Sequence, residues 1–420
     1  MNANPHRRVP LKCHLSLIAA LLAIAGCATA WSPQHIESAT FLDRAHTQER
    51  EEIRVSVAVP SRDETEAIFG VDLYQRGVQP VWVEIENNQD EDLTFLPLGM
   101  DSNYFTPVEA STMQRRSQQS DSMRKFFFEN GVSPAIEAGA SRRGFVYTHL
   151  DEGTKGFNVD VVGDDEGWYF TFFVDVPGLA IDHTNVDFET LYENHQIRDL
   201  GRDELIAELE SMPCCTADKS GEGSGDPLNI VVIGNPIDVY QAFIRAGWDE
   251  TEVITASSGV KTAVSFFSGS AYRYSPVSSL YVFERPQDIA LQKIRDNIHE
   301  RNHLRLWMSP LQYEGKAVWI GQISRDIGVR FTRKTITTHK IDAQVDETRE
   351  YLVENLAYHQ ALAKLAYVNG AIAASFDAPR GNLTGDPYFT DGRRIVLWIS
   401  SDPVAFDQID FVDWSVSEDE

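Results

Sequence analysis

Between Arg54 and Pro177 apolar residues recur at every second position, and that period restricts what the stretch can become. Val81, Val83 and Ile85 alternate with Trp82, Glu84 and Glu86. In an extended chain every second side chain points to the same side, so this pattern builds half-buried sheets rather than helices. The polar run Asn87-Asn88-Gln89-Asp90-Glu91-Asp92 predicts a turn, with 93–96 as the returning strand. Phe157, Val159 and Val161 alternate with Asn158 and Asp160, and 163–167 turns the chain. Trp168, Phe170, Phe172 and Val174 then fall on one face of the next strand. Residues 144–148 supply a further strand, whereas 112–130 reads as helical or irregular. Short strands punctuated by turns predict an immunoglobulin-like β-sandwich over residues 51–180.

From Asp187 the period lengthens. Leu205, Ile206, Leu209 and Met212 recur at helical spacing, and Pro213 stops that helix. Residues 181–225 read as a helical connector running into a Gly/Ser linker, with 216–226 as the boundary. The spacing Asp218-x-Ser220-x-Glu222-Gly223 has the start of a calcium loop, but the twelfth position is Asn229, so a linker is expected instead. Residues 226–405 mix strands and helices. After an apolar strand at 229–233, Asn235 suits an N-cap and Pro236 the first helical position, with Gly247 closing the helix. Strands follow at 280–283, 304–308, 318–324 and 395–399. One long helix is expected over 346–368, and an acidic tail over 406–420. The chain is thus expected to be a multidomain α+β protein: a β-sandwich followed by a mixed α/β C-terminal domain.

The N-terminus carries a different signal. Arg7, Arg8 and Lys12 precede an apolar run from Leu15 to Ala25, which ends in Ile24-Ala25-Gly26-Cys27. These four residues resemble the lipobox of bacterial lipoproteins. The resemblance implies cleavage after residue 26, lipidation of the Cys27 thiol and acylation of the new amine, with 27–50 as a tether. Each buried CH₂ adds ~0.8 kcal/mol of membrane affinity, so two or more chains hold firmly. The apolar run itself is too short to cross ~30 Å of hydrocarbon. Ala28, where retained lipoproteins have Asp, resembles the pattern sent to the outer membrane, facing the periplasm. Removing residues 1–26 takes three basic residues and no acid, so the net charge of −26 becomes −29. Such a chain is repelled by phosphate backbones, which excludes nucleic acid; the expected partners are the membrane holding the lipid anchor and an envelope protein or small-molecule ligand. Of four cysteines only the adjacent Cys214-Cys215 pair then remains, open to a bridge between neighbours, to two buried thiols or to a bridge between molecules. No CxxC or nearby His–Cys group completes a metal site, so a structural turn is expected there.

In the C-terminal half seven punctuated motifs occur in order. They are Asp226-Pro227-Leu228-Asn229-Ile230-Val231-Val232-Ile233-Gly234, Ala246-Gly247-Trp248, Ser275-Pro276-Val277-Ser278, Arg285-Pro286-Gln287-Asp288, His303-Leu304-Arg305-Leu306-Trp307, Val318-Trp319-Ile320-Gly321 and Thr338-His339-Lys340-Ile341-Asp342. This series resembles the LssY-like C-terminal domain family over residues 226–400. The resemblance implies an envelope setting and brings no reaction or cofactor with it.

Candidate chemistry gathers in these motifs. His303 and Arg305, two apart on a strand, project from one face. Asp326 is expected in a polar Ser324-Arg325-Asp326 tip, with His339, Asp342 and Asp346 after a hairpin. One reading makes His303, His339, Asp342 and Asp346 ligands of Zn²⁺ or Mn²⁺. Another makes His303, His339 and Asp326 an acid/base group, with Arg305 holding a phosphate or carboxylate. The bland alternative lets Asp342 cap a helix, pairs Asp346 with Arg349, and hydrogen-bonds His303 within the core. No HExxH or GxSxG signature occurs. Gln287-Asp288 beside Arg285 reads as a helix start. The expected function is therefore an envelope lipoprotein serving as a binding or scaffold protein, with a hydrolase of a phosphorylated or acylated envelope component as the alternative.

Overall fold

The computed structural model describes residues 31–34, 36, 40–113, 120–176, 186–251, 277–294, 300–330 and 338–414, without the side chains of 329, 330, 338 and 339. The leader with Cys27, Ser275 and Pro276 of the third motif and the last six residues lie outside the described residues, as does the His339 side chain. The chain is a mixed α+β protein that divides into two compact units, residues 1–92 with 103–150, and 93–102 with 151–420. Among the described residues no helix is long and apolar enough to cross a membrane.

In the first unit, strands His46–Arg50, Ile53–Ala58, Val78–Asn87 and Ser141–His149 pair antiparallel in that order. Alternation sets Ile53, Val55 and Val57 inside and Arg54 outside. Helix Arg62–Phe69 opens with a reciprocal Ser61/Glu64 capping box and stops at Gly70, whose φ of 66° an L side chain rarely adopts. It carries Phe69 to within 4.9 Å of Phe127 and 5.1 Å of Phe145. Phe127, from helix Asp121–Glu129, stacks on Tyr147 at 5.3 Å. Buried rings of this size supply much of the unit's core. The expected helical stretch within 112–130 is present; the expected hairpin across 87–96 is not. Strand Val78–Asn87 already has a partner on each edge, so the chain after the turn joins another sheet.

That sheet belongs to the second unit. Strands β1 (Leu93–Leu96), β2 (Gly153–Val162) and β3 (Gly167–Val176) pair antiparallel, and Trp168, Phe170, Phe172 and Val174 are buried as their alternation requires. The rest of the unit is built on one long mixed sheet. Its labelled elements are helix α1 (Arg202–Ser211), β4 (Ile230–Ile233), helix α2 (Pro236–Arg245), β5 (Ile289–Ile294), β6 (Arg301–Tyr313), β7 (Lys316–Arg330), β8 (Thr338–Ile341), helix α3 (Val345–Tyr358), β9 (Leu362–Asn369) and β10 (Arg393–Ile399). Strands run β5-β6-β7-β4-β10-β9, all antiparallel except the central pair β4 and β10. Helices α2 and α3 bury Val239, Phe243, Leu352 and Leu356 against one face, with Leu304, Leu306, Trp319 and Ile323 of the sheet. Helix α1 buries Leu205, Ile206 and Leu209 against the other, with Val231, Trp307, Ile320 and Trp398. Both faces are covered, which is why the central strands read as unbroken apolar runs.

Several expectations are corrected. The helix expected over 346–368 ends at Tyr358, Gln360 turns the chain with φ 57°, and 362–369 is strand β9. Its Leu-Ala-Lys-Leu-Ala-Tyr-Val sequence satisfies both periods, and pairing to β10 decides between them. The expected linker is a hairpin, Cys215–Ala217 against Ser224–Pro227, led in by a disulfide between the neighbours Cys214 and Cys215. The expected tip at 324–326 is the middle of β7. Gln287-Asp288 starts no helix but joins the returning strand of a hairpin, Tyr281–Val282 against Arg285–Pro286, to β5. Asn235 does precede α2, but its side chain donates to Asp238 instead of capping the helix. In the acidic tail, Asp410–Phe411 pairs with β9 and Trp414 is buried.

Candidate functional site

Strand β6 alternates Arg301, His303, Arg305 and Trp307 with Asn302, Leu304 and Leu306, so one side is basic where the other is apolar. The ladder sets Gln292 of β5 beside His303 and Ser324 of β7 on its other flank. Arg305 lies opposite Gln322, and Asp326 stands two residues beyond Ser324, and so on the same face. His303 Nε2 and Arg301 Nε lie 3.4 and 3.5 Å from one oxygen, Oδ2 of Asp326. Arg301 also donates to Gln292 at 2.6 Å; Arg305 donates to Gln322 at 2.9 Å and to the carbonyl of Ser278 at 3.2 and 3.3 Å. His303, Arg305 and Asp326 are all buried, at 7, 5 and 1% exposure.

Burial decides the charge states here. It pushes the Asp326 carboxyl up to about 7, although Arg301 and Arg305 pull it back. The same desolvation lowers both guanidiniums, with Asp326 opposing it for each and Asp226 also opposing it for Arg305. Asp226 itself is raised by burial and accepts from Asn382 at 2.9 Å. The expected trio His303, Arg305 and Asp326 is therefore gathered on one face, joined by Arg301, Gln292, Gln322 and Asp226, which sequence reasoning did not select. Arg301 was legible as the next member of the Arg-x-His-x-Arg alternation; Gln292 comes from the adjoining strand β5 and Asp226 from a distant element.

The other expected site residues serve elsewhere. Asp342 Oδ1 accepts from the Gln344 amide at 3.0 Å just ahead of α3. Asp346 accepts from Thr390 and from the Asp391 amide, both at 2.7 Å, and lies 3.3 Å from Arg349. The His339 backbone pairs with Val329, three residues past Asp326, and its side chain lies outside the described residues. Among the described residues no three His, Cys, Asp or Glu side chains are grouped to hold a metal ion. The pairing of Asp346 with Arg349 matches the bland alternative.

A second place in this unit has room for a ligand. The ladder between β6 and β7 slips between Met308 and Gln312, where Pro310 has no amide to donate. The resulting bulge, the first turn of α2 and the stretch 186–197 enclose a cavity of about 670 Å³. Phe188, Tyr192, Tyr240, Ile237, Met308 and Leu311 give its wall an apolar and aromatic character. The Arg285-Asp288 motif braces that wall. Arg285 pairs with Asp288 through two bonds of 2.8 and 2.9 Å, and donates to Tyr192 Oη at 2.8 Å and to the Met308 carbonyl at 2.6 Å. Asp288 accepts from the Met308 amide at 2.7 Å. At the far wall, Tyr240 donates to Thr154 at 2.8 Å; the Thr154 hydroxyl lies 3.0 Å from Asp175 and 3.1 Å from Glu250. Burial pushes Glu250 up to about 7 against the bonds from Thr154.

Residues 207–393 match the family model described as the LssY C-terminus. The match begins inside α1 and ends at the start of β10, so it takes in the basic strand face and the Arg285-Asp288 brace. This part of the chain carries an LssY-like C-terminal domain, as the seven motifs implied. No curated protein matches the chain.

Proposed function

We propose that this chain is an envelope lipoprotein that binds a small, largely apolar ligand in the cavity between α2 and β6. The observation that carries the reading is the cavity itself. At about 670 Å³ with mostly apolar walls, it falls within the ~300–1,000 Å³ range of small-molecule sites. The Arg285-Asp288 brace supports it further, because it fixes the bulged strand in advance of any ligand. Calorimetric titration of the purified protein with 1-octanol tests the proposal. Saturable binding at one site with a negative heat-capacity change is expected. Ile237→Trp, at an exposed position on the rim, should obstruct it. Absence of saturable binding defeats the reading.

The remaining parts of the proposal concern setting. Lipidation at Cys27 is tested by labelling cells with a radioactive fatty acid: label on the parent chain and none on Cys27→Ser is expected. Outer-membrane placement, and partnership with another envelope protein through an immunoglobulin-like β-sandwich, complete this reading. A second function has one observation in its favour, the convergence of His303, Arg305 and Asp326 with a carboxyl near neutrality, which suits acid/base hydrolysis of a phosphorylated or acylated envelope component. Hydrolysis of p-nitrophenyl phosphate or acetate that disappears in His303→Ala would favour it. The burial of all three groups supports the binding reading instead.

A further inference from the structure

We infer that the cavity selects an organic cation, an alkyl- or arylammonium whose apolar body fills the pocket while its charge sits at an acidic rim. The inference rests on the ligand-binding reading above and adds the chemical class. Three carboxylates belong to the lining, Asp175, Asp187 and Glu189, and among the described lining residues there is no Lys, Arg or His. All three are exposed residues, whereas Phe188, between two of them in sequence, is half-buried with its ring 5.3 Å from that of Trp319. The segment thus turns an aromatic ring inward and a carboxylate outward on each side of it. Tyr192 and Tyr240 bring two more rings to the cavity. Aromatic faces beneath a negative rim are what a desolvated ammonium needs, since the ring quadrupole and the carboxylates attract the same sign of charge.

Two groups oppose this, and neither prevails. The first turn of α2 reaches the cavity at Asn235 and Pro236, and a helix N-terminus carries roughly half a positive charge. Asp238 in that turn offsets it, before the three rim carboxylates are considered. Arg285 lies with its guanidinium 5.3 Å from the Tyr192 ring, but its charge is engaged by both oxygens of Asp288. An anion would meet three carboxylates against one partial charge. A cation meets the reverse.

Three probes sharing an eight-carbon chain separate the possibilities: octyltrimethylammonium, 1-octanol and octyl sulfate, each titrated calorimetrically into the purified protein. The expected result is that the ammonium binds about tenfold more tightly than octanol, and the sulfate more weakly than octanol. Raised salt should narrow the gap. In the double variant Asp187→Asn, Glu189→Gln the ammonium should fall to within about twofold of octanol, while octanol affinity stays unchanged and so reports an intact fold. Should the pair of substitutions abolish octanol binding, Glu189→Gln alone is read against the same criterion. Equal affinity of the parent for ammonium and octanol, or a preference that survives the substitutions, overturns the cation inference and leaves the ligand reading standing. Failure of all three probes to bind overturns both.

Discussion

Replacing Asp326 by Asn inverts a common expectation about buried ion pairs. Were the carboxylate a net stabilising partner of Arg301 and His303, its loss would cost more as pH rises and the parent becomes fully ionised. The structure gives the opposite sign. Burial outweighs both arginines and raises the Asp326 carboxyl from its ordinary 3.8 to about 7. The folded state therefore holds a proton that the unfolded chain releases near pH 4, and stability drains away between about pH 4 and pH 7. A displacement of that size corresponds to at most ~4 kcal/mol at high pH, of which roughly 2–3 kcal/mol falls between pH 5 and pH 8. Asn does not titrate and so escapes the loss. Whatever the substitution costs at pH 5, it should cost about 2 kcal/mol less at pH 8. Urea unfolding of parent and variant at pH 5, 6.5 and 8, followed by tryptophan fluorescence, measures the difference. A cost that grows with pH refutes the reasoning, since it would mean that the arginines, not desolvation, govern the carboxyl.

Glu250 works in the same sense: pushed up to about 7 by burial, it should make the parent lose stability from pH 5 to pH 8, and Glu250→Gln should flatten part of that slope in thermal melts. Arg394 is fully buried and donates to the carbonyls of Leu228, Gly370, Leu209, Met212 and Pro213, the last three at or just beyond the end of α1. Arg394→Met leaves these acceptors bare and should cost about 3–5 kcal/mol in urea unfolding, with Arg394→Lys recovering part of it; a loss below about 1 kcal/mol would contradict the assignment. Gly321 sits where an added Cβ would meet Ile230 at 2.6 Å and Leu306 at 2.7 Å, so Gly321→Ala should destabilise by about 1–3 kcal/mol, read as a lowered melting temperature.

What was legible in the sequence follows from which forces are local. The alternation through Phe157 to Val161 and Trp168 to Val174 fixed strands and their buried faces, because strand periodicity is a property of the segment itself. So did the step from His303 to Arg305, and Asp326 joined them because adjacent strands share a face. The misses are tertiary. Leu362 to Val368 fits helix and strand periods alike, and only pairing to β10 makes it a strand. The turn at Glu51-Glu52, with φ of 47° and 68°, and the one at Phe283-Glu284, with 54° and 60°, use residues that give no sequence signal for a left-handed backbone. Gln287-Asp288 beside Arg285 read as a helix start; the bond between Arg285 and Asp288 instead closes the tight return after a hairpin. The cavity gathers stretches more than a hundred residues apart, and no window of sequence contains it.

The parallel pair at the sheet centre has a temporal consequence. Strand β4 meets its partner β10 only across some 160 positions of chain, with every other long strand of the sheet made in between. Closing so wide a loop costs entropy that nearby contacts cannot offset early, so the sheet should assemble slowly and last at its middle. A chain interrupted before Arg393 would present β4 and β9 as unpaired edges, open to association with other chains.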